Sequence, residues 1–253
     1  MGDTTSIAWT DATANYWLGC TKVSDGCKHC YAERFAKNRM GLDVWGASAR
    51  QPVKKVWATV ARLGAEVRQG RIGVMGANKP LLVFVGSMMD WAEDRAELKP
   101  VRAKMWEQIR AEPALTFQLL TKRPDRIEAL LPATWGQGWP NVWLGTSIED
   151  MRVAERAEQL RRIPAVVHFV SYEPALGPLD DLPLDGIDWV IYGGESGPEF
   201  RSDNADWARA MKRRCEERGV AFFHKQSAAN LPGRGVELDG ATLKAWPRVR
   251  GRH

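Results

Sequence analysis

Leu81-Leu82-Val83-Phe84-Val85-Gly86-Ser87-Met88-Met89-Asp90 runs five apolar residues into a glycine and then into hydroxyl, thioether and carboxylate side chains. Such a run, bounded by a glycine and polar groups, describes a strand buried on both faces that leaves the core where the polar residues begin. The pattern returns down the chain. Leu115 to Leu120 ends in Thr121-Lys122-Arg123, and Val142 to Leu144 ends in Gly145-Thr146-Ser147-Ile148-Glu149. Ala165 to Val170 leads to Ser171-Tyr172-Glu173-Pro174, Trp189 to Tyr192 to Gly193-Gly194-Glu195-Ser196-Gly197, and Val220 to His224 to Lys225-Gln226.

Amphipathic helices fill the intervals. Leu98, Val101, Met105 and Ile109 share one helical stripe, a short helix covers Arg126 to Leu131, and Val153, Ala157 and Leu160 face inward from a helix over Glu149 to Ile163. Ser147 with Asp150 has the form of a capping box at the start of that helix. Trp207 to Arg218 stops at Gly219; upstream, Cys30 to Met40 stops at Gly41, and Val56, Val60, Leu63 and Val67 mark a further helix before a glycine-rich loop over 70–80. A first strand is expected at Ile7 to Trp9 or Tyr16 to Leu18. Parallel strands joined by helices wind in one direction, so the chain is expected to be α/β: a partial or complete parallel (β/α) barrel of six to seven units, spanning 1–253 as one domain. A doubly wound open sheet is the alternative.

Composition agrees with a soluble protein that has a proper core. The 253 residues are 44% hydrophobic and 26% charged, with no apolar run near the ~18 residues of a membrane span. The start, Met1 to Ser6, lacks the layout of a signal peptide, which points to the cytoplasm. The net charge of +5 is mild, but Lys244, Arg248, Arg250 and Arg252 crowd a basic tail over 244–253, suited either to phosphate contact or to solvation. Twelve tryptophans fall mostly inside amphipathic segments, where packing accounts for them.

In β/α proteins the strands' carboxyl ends carry function. Six polar endings would line one rim with Asp90, Lys122, Arg123, Glu149, Glu173, Glu195 and Lys225, a concentration of charge that a polar ligand explains better than chance. Lys122, Glu173, Glu195 and Lys225 are the candidate catalytic residues. Gly193 and Gly194 would let backbone approach a ligand, although glycines after a strand also make turns.

Three of the four cysteines lie in Trp17-Leu18-Gly19-Cys20, six residues, then Cys27-Lys28-His29-Cys30-Tyr31-Ala32, the loop 17–32. In a reducing compartment such clusters are metal ligands or redox groups rather than disulfides. Cys20, Cys27 and Cys30 would hold either a four-iron cluster with one open iron or, with His29, a Cys3His zinc. Cys30 at a helix start is well placed to be a thiolate. Cys215 follows Trp207 and Met211 at helical spacing and reads as an inert core residue.

The run from Trp17 to Glu33 resembles the phage-associated three-cysteine-motif family named after phage gene products thirty-seven and sixty-eight, which is regarded as similar to radical S-adenosylmethionine (SAM) enzymes. Val85-Gly86-Ser87-Met88-Met89-Asp90, Leu119-Leu120-Thr121-Lys122-Arg123-Pro124, Val142 to Asp150, Val170-Ser171-Tyr172-Glu173-Pro174 and Gly193 to Pro198 resemble it in the same order. The resemblance implies a barrel whose [4Fe-4S] cluster, on Cys20, Cys27 and Cys30, would bind SAM at its open iron and yield a 5′-deoxyadenosyl radical. Ser87, Asp90, Ser147 and Glu149, with Gly193 and Gly194, would then be the cofactor-binding residues. The cysteine spacing of six rather than three, His29 where an aromatic is usual, and Ser227-Ala228 after the Lys225-Gln226 pair depart from the related patterns. The substrate expected is a nucleobase or nucleotide, as in modification of phage DNA, with a reductant for the cluster as partner. The alternatives are a zinc-binding nucleic-acid-binding protein without redox chemistry and a cluster-bearing partner subunit with a degenerate SAM site.

Overall fold

The computed structural model describes residues 5–71 and 81–249. Nine strands and six helices follow the expected alternation: β1 (Ala12–Ala14), β2 (Trp17–Leu18), α1 (Tyr31–Met40), β3 (Gln51–Pro52), α2 (Lys55–Arg68), β4 (Leu81–Val85), α3 (Lys99–Ala111), β5 (Leu115–Thr121), α4 (Ile127–Leu130), β6 (Val142–Ser147), α5 (Glu155–Arg161), β7 (His168–Tyr172), β8 (Trp189–Gly193), α6 (Ala205–Arg218) and β9 (Ala221–Gln226). Seven strands form one sheet in the order β1-β4-β5-β6-β7-β8-β9, every neighbouring pair parallel. That order never reverses. A doubly wound sheet turns back at a switch point, so the winding here is single, and the sheet curls into a half-barrel with β1 and β9 at its edges.

The first strand is neither of the two segments expected. Ala12-Thr13-Ala14 pairs with Val83-Phe84-Val85, while Trp17–Leu18 turns aside to pair antiparallel with Gln51–Pro52. Asp11 fixes the entry by accepting a hydrogen bond from the Leu82 amide at 2.8 Å. The expected capping box is also replaced: Ser147 ends β6, and Asp150 itself accepts from the Arg152 amide at 2.9 Å. Gly41 and Gly219 stop their helices in the left-handed conformation, with φ of 66° and 67°. Of the expected loop over 70–80, residues 72–80 lie outside the described residues.

Alternation along the strands sorts the core into two layers. Leu81, Val83 and Val85 of β4 and Leu115, Phe117 and Leu119 of β5 pack with Val60, Met105, Ile109, Leu160 and Met211 of the helices. Cys215 is wholly buried there on α6, as expected. On the inner face, away from the helices, Leu82, Phe84, Trp143, Phe169, Trp189, Ile191 and Phe223 form a second cluster. Trp9 fills its lower end, with its ring centroid 4.6 Å from that of Phe84 and 6.1 Å from that of Trp189.

The chain's other end completes this plug. Residues 243–245 run along the free edge of β9, where the His224 amide donates to the Leu243 carbonyl at 2.8 Å and the Ala245 amide to the Phe222 carbonyl at 3.2 Å. Trp246 then packs on Phe223 and donates through Nε1 to the Trp9 carbonyl. Trp9 precedes β1, so the described part of the basic tail leads to the amino end of the barrel, opposite the polar rim. Arg250 and Arg252 lie outside the described residues. Among the described residues no helix is long and apolar enough to cross a membrane.

Candidate functional site

The cysteine loop lies on the carboxyl rim because Gly19, just before its first cysteine, is stitched to the segment that follows β4. Gly19 donates to the Met88 carbonyl at 3.0 Å and adopts φ 108°, where a Cβ would come 1.9 Å from the Val44 carbonyl oxygen. Cys20 follows directly. Cys27 ends a 3-10 turn over Asp25–Cys27, and Cys30 is the N-cap of α1. All three thiols are free; Cys27 is buried, Cys20 and Cys30 half-buried. The irregular stretch after α1 encloses the loop through Arg50, whose buried guanidinium makes a two-point pair with Glu93 at 2.8 and 2.7 Å and reaches Thr21 Oγ1 and the Val44 carbonyl.

Three rim carboxylates hold this loop down. Asp90 accepts from Ala92 N and Thr121 Oγ1 on one oxygen and from Lys122 N and Arg123 Nη1 on the other. Arg123 passes that anchorage on, donating to the Thr21 carbonyl at 2.6 Å and to Cys20 Sγ at 3.6 Å. Glu149, only 1% exposed, accepts from Ser24 Oγ at 3.0 Å, from Lys122 Nζ and from Arg156 Nη1. Glu195 takes Arg201 on both oxygens and lies 3.2 Å from His29 Nδ1, while Arg201 also bonds the Asp25 carbonyl. Thus His29, the possible fourth zinc ligand, faces a rim carboxylate.

The remaining predicted residues line the inner side of the rim. Lys225 donates to Glu173 Oε2 at 2.6 Å, and both are partly open to solvent. Gly193 packs under Glu173, where a Cβ would meet its carboxylate at 2.8 Å; Gly194 lies against the Ala228 backbone, where a Cβ would come to 2.1 Å. Gly194 is therefore required by packing against backbone, whereas at Gly193 the flexible Glu173 side chain is what a Cβ would have to displace. Ser87 accepts from Asn15 Nδ2 at 2.8 Å, and its carbonyl takes the Tyr31 hydroxyl at 2.6 Å. Between Lys122, just past β5, and Lys225 on β9 the inner face carries the small residues Ser147 and Ser171, partners across β6 and β7, and Gly193, two residues beyond Ser171's partner Ile191 on β8. Ser171, Gly193 and Lys225 each lie two residues toward the rim from Phe169, Ile191 and Phe223 on the same strands.

Two of the thiols have a donor suited to a thiolate, and the third lies beside a hydroxyl whose proton goes to Glu149. Arg123 faces Cys20, the Ala32 and Glu33 amides at the head of α1 lower the Cys30 pKa, and Ser24 Oγ is 3.9 Å from Cys27 Sγ. Burial nonetheless dominates. It pushes the Cys20 thiol up to about 12, with Asp90 adding to the rise, and raises Cys30 as well. Thiols so placed ionise when a cation takes them as ligands, and the donor set fits a thiolate-bound metal group. Among the described residues no three His, Cys, Asp or Glu side chains converge as ligands of a single ion. Sequence reasoning missed Arg50 and Glu93, which pair across 43 positions, and Arg156 and Arg201, which pair with rim carboxylates seven and six positions away that stand outside any helix. It also missed Asn15, which follows a strand that carries no local signature.

Residues 4–247 match the family described as a protein of unknown function, DUF5131. No curated protein and no solved structure matches the chain. The match spans nearly the whole half-barrel with its cysteine loop and rim, and the chain belongs to the DUF5131 family.

Proposed function

We propose that the protein is an iron–sulfur enzyme of radical-SAM type, working in the cytoplasm on a nucleobase or nucleotide, with Cys20, Cys27 and Cys30 holding a [4Fe-4S] cluster. The observation that carries this reading is a loop of three free thiols anchored by Asp90, Glu149 and Glu195 to the carboxyl rim of a parallel half-barrel. A structural zinc site has no need of that location. When bound, the reduced cluster supplies the electron that cleaves SAM to a 5′-deoxyadenosyl radical.

The chain's own residues position and shield. Asp90 and Glu149 have their oxygens taken by protein donors, so they brace the loop, and the Gly193 carbonyl and both Gly194 backbone groups are taken by Ala175 and Gln226; the hydroxyls of Ser87 and Ser147 are the groups left to meet SAM. Lys122 and Lys225 stand on the inner side of the rim and suit a phosphate or carboxylate, while Glu173 accepts the hydrogen bond from the Lys225 ammonium at Oε2 and holds it in place. The aromatic layer beneath them keeps water from that side of the rim.

Anaerobic reconstitution with iron and sulfide, metal analysis, and a dithionite-driven assay for 5′-deoxyadenosine test this reading. Cys20→Ala, Cys27→Ala and Cys30→Ala should each abolish cluster assembly, and Cys215→Ala should leave it intact. Stoichiometric zinc with no cluster would establish the zinc-binding alternative instead. A cluster without SAM cleavage would identify a partner subunit with a degenerate SAM site.

A further inference from the structure

We infer that Arg123 is a positioning residue that sets the reduction potential of the group bound at the cysteine loop, by donating a charged hydrogen bond to Cys20 Sγ. This rests on the iron–sulfur reading above. Of the three thiols, Cys20 alone has a side-chain cation as its donor: Arg123 Nη1 lies 3.6 Å from its sulfur, whereas Cys27 faces a serine hydroxyl and Cys30 the backbone amides of α1.

The guanidinium is not free to swing away. Its Nη1 is held at 2.6 Å by Asp90 Oδ2, its Nη2 at 2.6 Å by the Thr21 carbonyl, and its own backbone amide by Thr121 Oγ1 at 2.9 Å. Asp90 is fixed in turn by Thr121 Oγ1 and by the Ala92 and Lys122 amides. The donor is therefore preorganised by the ends of β4 and β5 before any ligand arrives, and only 13% of its side chain is exposed to screening water. Reduction adds negative charge to a cluster and its thiolates, and a cation hydrogen-bonded to one of those sulfurs stabilises that charge, which raises the potential.

The test is a redox titration of the anaerobically reconstituted full chain, followed by absorbance and electron paramagnetic resonance, with iron and sulfide counted. Arg123→Gln should assemble the same iron content and titrate at a more negative midpoint potential. Arg123→Lys keeps the charge but cannot span Asp90, Thr21 and Cys20 together, so its midpoint should fall between the two. If Arg123→Gln does not fold or load, Arg123→Lys carries the measurement alone, with a smaller negative shift expected. A fully loaded variant that titrates with the wild type would overturn the inference and leave the iron–sulfur reading standing. A wild type that assembles no cluster would remove both.

Discussion

The two ends of the inner face are built from the same strands and held by opposite means. At the amino end, Trp9, Phe84, Trp143, Phe169, Trp189 and Phe223 pack in edge-to-face and tilted pairs, with centroids 5.7 to 6.4 Å apart in all but the closest pair, Trp9 with Phe84. At the carboxyl end, the same strands finish in carboxylates bonded to arginines and lysines. Aromatic packing is forgiving of direction and its strength scales with area, so it closes the barrel where no ligand is expected. Ion pairs fix direction, and a partner removed leaves its mate without compensation. The rim thus holds the cysteine loop in one position at the risk of being broken by a single change.

The largest effect should come from the amino end. Trp189 is wholly buried, touches four aromatic rings and donates to the Ala245 carbonyl at 2.8 Å. Trp189→Ala should cost about 3–5 kcal/mol in urea denaturation, as large buried aromatics do. Glu149→Ala comes next, at about 3 kcal/mol, the low end for a broken buried pair because Lys122 keeps some contact with water. The two should differ in kind. Trp189→Ala should loosen hydrogen exchange across the sheet, whereas Glu149→Ala should loosen residues 20–30 first, since Ser24 loses its acceptor and the carboxylate that fills the space above Gly26 is gone. Equal patterns would mean that the ends are not separate units.

This difference also decides what the sequence disclosed. The apolar runs and their polar endings located six of the seven sheet strands, because burial on both faces leaves a local signature. Ala12-Thr13-Ala14 left none: two small residues of weak β preference form a strand only because β4 offers a parallel edge to them. The rim carboxylates were legible as a set, but their roles were not. Whether Asp90 meets a ligand or Arg123 depends on contacts 33 positions apart, which no spacing rule reports. Nor could tryptophans 237 positions apart, Trp9 and Trp246, announce that they share a plug.

Acid should separate the ends next. Burial by itself would raise the pKa of Glu93, but the hydrogen bonds and charge of Arg50 hold it below the ordinary 4.5; Glu195 is likewise held down, against burial, mainly by Arg201. A carboxylate with a depressed folded pKa contributes stability that is complete above its unfolded value and lost as pH falls through the folded one. The rim should therefore loosen below about pH 4.5, while the inner aromatic cluster has no titrating member. Hydrogen exchange, corrected for its intrinsic pH dependence, should show residues 17–32 losing protection before near-ultraviolet circular dichroism reports melting of the plug.

Gln118 offers a smaller test within the amino half. It is wholly buried on the inner face beside Phe84 and Trp143, and among the described residues neither end of its amide has a partner. Gln118→Met fills similar volume without polar atoms and should raise stability by about 1 kcal/mol. A loss of that size would show that the amide serves the layer in a way that packing does not.

The smallest effect is the control for the rim. Glu158 and Arg162 form an i,i+4 pair at the end of α5, with side chains 59% and 71% exposed, and Arg162 holds the glutamate's pKa down. Their separation and charges are those of a rim pair; only the surroundings differ. Water screens both groups and both side chains lose rotamer freedom in making the contact, so Arg162→Gln should leave the urea midpoint within experimental error. Glu149→Ala removes a pair of the same chemistry from a site where Arg156 has no water to turn to. If the exposed variant were as damaging as the buried one, desolvation would not be what makes the rim brittle, and the contrast between a forgiving amino end and a brittle carboxyl end would have to rest on the loop's backbone contacts at Gly19 instead.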